Sequence, residues 1–415
     1  MSSDEIRAAR VALTWLAEPG NRAVYLMVVA AGPVTALQRL RCGDIPDATL
    51  RGAVAARLAI DDPRRVAEAA LDRGRRLGAR LVVPEDEDWP PGVDDLVRLD
   101  TGGGATRYVD RDVMPPLCLW TRGPWPVREC LDRSVAVVGS RACTNYGRQV
   151  ATDLAYGLAE RGWTVVSGGA YGIDAAAHRG ALTAGGATVA VLACGVDRPY
   201  PMGNAALFDR IAESGLLVSE WPPGAEPLRH RFLIRNRVIA AATTGTVVVE
   251  AAARSGASQT LNRALALGRR AMAVPGPVTS AMSVGCHEVL REHPRARLVT
   301  GAAQVLEEVG RIGFDLAPLE RGPQRPRDHL DQESALVLEA VPGRGNVGAE
   351  ELAARAGVDL RTVLRRVALL EAAGMLVRRD GGYALPPPPP PPPPRPHGTD
   401  RPASDSPAGP VTRAR

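Results

Sequence analysis

From Ser134 onward, short valine-rich apolar runs recur along the chain, each closed by glycine or a polar residue. They are VAVVGS (135–140), TVVSGG (164–169), TVAVLACG (188–195), LLVSE (216–220), TVVVEAA (246–252) and AMAVPG (271–276). Near-continuous apolar runs of this length, separated by stretches of helical period, predict a parallel sheet buried on both faces. The fold class expected is therefore α/β, an extended Rossmann-like, doubly wound and mostly parallel sheet over 110–310. Ligands in such folds sit at the carboxyl ends of the strands, so the residues that close the runs are the first candidates for a site.

The flanks follow a different rhythm. Residues 1–88 read as short Ala, Leu, Val and Arg helices broken at Pro19-Gly20, Gly32-Pro33 and Asp61-Asp62-Pro63. That predicts a small N-terminal helical (SAM/HhH-like) domain, with a boundary in the loop-like text between Pro84 and Gly104. A polar, Pro/Arg-rich linker is expected over 311–329. Over 330–385, three short helices and a two-stranded ribbon with Gly381-Gly382 near its tip predict a winged helix-turn-helix. Its third helix carries Arg361, Arg365 and Arg366, which suit duplex DNA or a protein partner. The tail over 386–415 opens with consecutive prolines, Pro386 to Pro394, expected to be stiff and extended, and continues into polar text expected to be disordered.

Composition narrows the chemistry. Lys+Arg is 51 against Asp+Glu 46, and every one of those cations is arginine, because the sequence contains no lysine. A Walker P-loop, a Schiff-base lysine and a ligase-type lysine nucleophile are thereby excluded. Coding bias accounts for the missing lysine better than function does. The net charge of +5 fits a polyanionic partner without requiring one. Six scattered cysteines without a CxxC pair argue against a zinc ribbon or redox dithiol and for reduced, mostly buried thiols, hence a cytoplasmic chain. The N-terminus lacks a signal-type order, and no stretch approaches the roughly 20 apolar residues of a membrane span.

Four segments could carry chemistry. GSRACTNYGR (139–148) follows the first run, where glycine lets backbone amides approach an anion and Arg141 can fork onto a phosphate; capping alone is the competing reading. SGGAYGIDAAAHRGAL (167–182) places Gly168 and Gly169 in a second turn that does not fit GxGxxG. Its Asp174 and His178 would share a helix face, and cap and packing roles are preferred there over a base or metal pair. PLRHRFLIRNRVIAA (227–241) carries Arg229, Arg231, Arg235 and Arg237 with no acid, interleaved with Phe232. Guanidinium groups beside a ring suit single-stranded nucleic acid, with charge following the backbone and the ring stacking on a base. Finally, Glu250 closes VVVE and could act as a base, hold a ribose hydroxyl or, preferably, cap or pair with a neighbour.

Taken together, VAVVGSRACTNYG, VVSGGAYGIDAAAH, RFLIRNRVIAA, EAAARSGASQT and AVPGPV…GCHEVL resemble, in order, the DNA-processing protein A family, also called DprA or Smf, over roughly residues 110–305. The resemblance implies a non-enzymatic protein without cofactor or metal. It would bind and protect single-stranded DNA, help load the RecA recombinase in transformation or recombination, and form a homodimer. Carried over by position, the implied DNA-binding residues are Gly139, Ser140, Arg141, Gly168, Gly169, Arg229, Phe232, Arg235 and Asn236. Two departures stand out: Arg229 replaces the usual lysine, and Leu233 the proline that usually follows the phenylalanine. The alternative is a nucleoside-monophosphate phosphoribohydrolase using Glu250, although the PGGxGTxxE run of such enzymes is missing.

Overall fold

The computed structural model describes residues 2–100, 113–253, 255–311 and 326–387. The chain divides into two compact units, 1–318 and 319–415. The helical segment 1–88 and the α/β region thus fall in one unit. Most of the expected linker, and the tail beyond residue 387, lie outside the described residues.

In the first unit, helices α1 (Ser3–Leu16), α2 (Arg22–Ala31), α3 (Pro33–Arg41), α4 (Ala48–Leu58) and α5 (Pro63–Arg76) lead to β1 (Arg80–Val82) and β2 (Leu119–Arg122). After α6 (Val127–Asp132) come β3 (Ser134–Val138), α7 (Asn145–Glu160), β4 (Thr164–Ser167), α8 (Ile173–Thr183), β5 (Thr188–Leu192), α9 (Ala205–Ser214) and β6 (Leu216–Ser219). Then follow α10 (Arg229–Ala242), β7 (Gly245–Val248), α11 (Gly256–Ala266), β8 (Arg270–Ala273), α12 (Val284–Glu292), β9 (Ala296–Leu298) and α13 (Ala302–Val309). The strands form one sheet in the order β1-β2-β6-β5-β4-β3-β7-β8-β9, parallel from β6 to β9 and antiparallel where β1 and β2 extend its edge. All six valine-rich runs become its central strands. β1, β2 and β9 are three or four residues long and mix arginine with apolar residues, so they lack such a run.

Side-chain alternation along each strand divides the core between the two faces. Val135, Val137, Val165 and Val247 pack with α7, α8 and α13. Ala136, Val138, Val166, Val189 and Val191 point the other way, toward α10, α11 and α12. The N-terminal helices cover the sheet around Trp120, Ala190, Leu192 and Leu217, together with α8 and α9. Their starts are locally encoded. Ser2 and Glu5 close a reciprocal capping box on α1, while Asp62 caps α5 ahead of Pro63.

All six cysteines are free, and burial pushes the thiols of Cys118, Cys130, Cys194 and Cys286 up to about 12. No helix among the described residues is long and apolar enough to cross a membrane.

The second unit contains α14 (Gln332–Glu339), α15 (Ala349–Ala356), α16 (Leu360–Ala372) and an antiparallel ribbon of β10 (Val377–Arg379) and β11 (Gly382–Ala384). Three short helices followed by a two-stranded ribbon are the elements expected over 330–385. Asp380 and Gly381, at φ 46° and 80°, supply the two left-handed residues of a tight hairpin turn. Val337, Leu352, Val363, Val367 and Tyr383 form its core. Of the three arginines on α16, Arg366 is tied to Asp331 (3.0 Å) and Glu333 (2.7 Å), exposed Arg365 also reaches Glu333 (3.5 Å), and Arg361 is exposed.

One ion pair in the first unit is fully enclosed. Arg237 on α10 donates to both carboxylate oxygens of Glu220, just beyond β6, at 2.5 and 2.7 Å, and their side chains are 0% and 2% exposed. Removing one partner strands a charge where water cannot reach it. Arg237→Leu is expected to lower the unfolding free energy by about 3–5 kcal/mol in urea titrations, and Arg237→Leu with Glu220→Leu to recover most of that loss.

Candidate functional site

β3 and β7 are neighbours in the sheet but far apart in sequence. The chain leaves β3 toward β4, β5 and β6, then returns to lay β7, β8 and β9 on the other side. The crevice of a doubly wound sheet opens at such a switch point. Two glycine turns and the start of α10 meet beside it.

The first turn is held from within the protein. The Ser140 amide donates to the Glu250 carbonyl at 2.7 Å, and the Ser140 carbonyl accepts from the Ile173 amide at 3.2 Å. Glu250, 1% exposed, accepts from the Thr144 amide (2.8 Å) and hydroxyl (2.6 Å), and Thr144 in turn caps α7 by accepting from the Gly147 amide. The Ala142 amide donates to the Ser140 hydroxyl at 3.2 Å. In the second turn, the amides of Gly168 and Ala170 donate to buried Asp174 at 3.2 and 3.3 Å. Within the two turns the amides of Ser140, Ala142, Thr144, Gly168 and Ala170 are thus taken up inside the protein, and exposed Arg141 adds positive charge at this rim. The same contacts engage both oxygens of Glu250, one each, so it pairs with a neighbour as preferred from sequence.

Glycine is required where these segments touch. A Cβ on Gly168 would lie 2.4–2.6 Å from the Arg235 guanidinium. Gly172, at φ +79°, turns the chain into α8 with its missing Cβ position 2.2 Å from the Ser140 carbonyl oxygen.

The arginine run of α10 separates by helix face. Arg231 is buried: its Nε and Nη2 donate to Glu18 at 3.1 and 2.8 Å, and its guanidinium lies 5.5 Å from the Trp221 ring. Arg237 is enclosed with Glu220. Arg235, 4% exposed, donates to the carbonyls of Gly168 (2.8 Å) and Val191 and to the Asn236 side chain (3.1 Å). Burial lowers the Arg235 pKa to about 10, with Asp174 opposing that fall. Of the four arginines, only Arg229 is exposed. Half-buried Phe232 and Asn236 follow it at i+3 and i+7, on the same face of the helix. Exposed Arg141, from the first turn, reaches across to within 5.3 Å of the Phe232 ring, with Arg235 at 6.0 Å. The structure thus brings together Gly139–Arg141, Gly168, Gly169, Phe232, Arg235 and Asn236, but Arg235 acts as a strut rather than a surface cation.

Two contributors escape sequence reasoning. Tyr200 places its ring 5.5 Å from that of Phe232, tilted 55°. Glu18 lies between α1 and α2 and accepts from Arg231, from Trp221 Nε1 (3.0 Å) and from Arg57 (3.2 Å). Burial opposes its charge, but hydrogen bonds from Arg231 and Trp221 and the charges of Arg231 and Arg57 hold its carboxyl below the usual range. No local pattern announces Glu18, because its main partner is 213 positions away.

Asp174 and His178 perform the structural roles expected of them. Asp174 gathers the second turn, and burial raises its pKa although Arg235 opposes the rise. His178 Nδ1 lies 2.8 Å from the Thr188 hydroxyl, which already donates to the Val165 carbonyl. The hydroxyl can therefore only accept, which fixes the Nδ1–H tautomer and leaves buried Nε2 without a partner. No group of His, Cys, Asp and Glu among the described residues is placed to hold a metal ion.

Comparison with known proteins matches residues 80–310 to the family DNA recombination-mediator protein A. The chain is 46% identical over 373 residues to the putative DNA processing protein DprA of Mycobacterium tuberculosis, spanning 90% of this chain and 92% of that one. It is 38% identical over 255 residues to protein Smf of Escherichia coli, spanning 60% of this chain and 67% of that one. The solved DNA processing protein A of Streptococcus pneumoniae superposes with a TM-score of 0.57 at 32% identity, over 72% of this chain and 96% of that one.

Burial pushes the His178 pKa down from 6.5 to about 3, so the unfolded chain takes up a proton first as pH falls. Stability present above pH 6.5 is then lost progressively toward pH 3. His178→Asn is expected to flatten this part of the pH dependence of the urea midpoint relative to the unsubstituted chain.

Proposed function

Because the chain belongs to the DNA recombination-mediator protein A family, we propose that it binds single-stranded DNA at the switch-point rim and acts there as a recombination mediator rather than an enzyme. The observation that carries this reading is the meeting of two segments some ninety residues apart in sequence, with the Arg141 guanidinium 5.3 Å from the Phe232 ring. An unpaired strand offers what these groups complement. Its phosphates attract Arg141 and Arg229, and its bases present faces on which Phe232 can stack. Both arginines are exposed, so they can follow a flexible backbone, whereas paired bases would keep their faces from the ring.

Further parts of the reading follow from the family. The chain protects the strand and helps load the RecA recombinase onto it. It works as a homodimer in the cytoplasm, and its C-terminal winged-helix region supplies a second contact through Arg361 and Arg365.

Binding to an oligo-dT strand is expected to weaken steeply with salt, because neutralised phosphates release counterions. Arg141→Ala with Arg229→Ala should reduce affinity at least about tenfold and lower the slope of log affinity against log salt by about 0.7 for each phosphate no longer neutralised. Phe232→Ala should cost about 1–3 kcal/mol of binding. Unchanged affinity and slope in the double arginine variant would defeat the assignment.

A further inference from the structure

We propose that Tyr171 and Tyr200 form a second base-stacking subsite beside Phe232, so that this rim holds at least two unpaired nucleobases. The inference rests on the single-strand reading above. It arises from exposed apolar surface that the arginine–phenylalanine contact leaves unused. Aromatic residues make up only 4% of the sequence, yet Tyr171 and Tyr200 are 49% and 44% exposed, and Met202 beside them is 70% exposed.

Both tyrosines stand on backbone that is fixed from beneath. Asn204, 3% exposed, donates its side-chain amide to the carbonyls of Gly169 (3.0 Å) and Ala170 (3.3 Å), clamping the segment 200–204 onto the second glycine turn. Tyr171 follows that turn and lies against the clamped segment so closely that a Cβ on Gly203 would be 2.6 Å from its hydroxyl oxygen. At the other end of the segment, the Tyr200 ring meets Phe232. One anchored loop therefore carries an exposed ring, touches a second and adjoins a third, with Arg141 next to the last. Rigid rings lose little conformational freedom when a base stacks on them, and stacking accepts any base because every base has a π-face.

The test is fluorescence anisotropy of the full chain with labelled oligo-dT and with an abasic oligonucleotide of equal length. Tyr171→Ala and Tyr200→Ala should each weaken dT binding by about 5- to 150-fold. Tyr171→Phe and Tyr200→Phe should bind as the unsubstituted chain does, which separates a stacking ring from a required hydroxyl and from misfolding. On the abasic strand, the alanine variants and the unsubstituted chain should bind equally. If both alanine variants keep full dT affinity while Arg141→Ala weakens it, or if they lose as much on the abasic strand, the tyrosine subsite is overturned and the single-strand reading stands. Failure of the unsubstituted chain to bind dT overturns both.

Discussion

A buried guanidinium organises the rim of this sheet. Arg235 reaches from α10 to the carbonyls at the ends of β4 and β5, so three elements that sequence keeps apart are tied at one point. A cation in the interior is tolerated only when its donors are engaged and a counter-charge is close. Carbonyl oxygens supply the first and Asp174 the second, and Asp174 in turn gathers the amides of the neighbouring glycine turn. Gly168 is glycine because the guanidinium occupies the space a side chain would need. The position of Phe232, one turn earlier on the same helix, follows from that anchorage.

The rest of the arginine run shows how one residue type serves opposite ends. Arg231 and Arg237 neutralise carboxylates brought from other elements, while Arg229 remains exposed, as does Arg141 on a different loop. Guanidinium suits both settings: its planar fork satisfies two carboxylate oxygens at once when enclosed, and it can lie over a ring when exposed. In a chain without lysine, every cation must come from this one chemistry, so burial and partner decide its role.

The central sheet was legible because burial on both faces leaves an unmistakable apolar run, and β3 to β8 coincide with those runs. β1, β2 and β9 were not, because a short edge strand such as Arg80–Val82 has too few residues to show a period. The site was legible in part. Gly139–Arg141 and α10 do converge, but local text could not reveal that the run without acids meets Glu18 and Glu220 in space. Nor could it show that the amides of Ser140, Gly168 and Ala170 in the glycine turns are already engaged within the protein. Tyr200 was missed because a lone tyrosine in a loop carries no signal until the fold sets Phe232 beside it.

Glu18 gives the N-terminal helices a role beyond covering the sheet. Its carboxylate is the counter-charge for Arg231, one position before Phe232, and it also receives the indole of Trp221. The two segments are consequently not interchangeable parts. A lineage that shed the leading helices, or exchanged them for another set, would have to supply a new acid at the same spot or reshape the first turn of α10, which ties the inheritance of one region to that of the other.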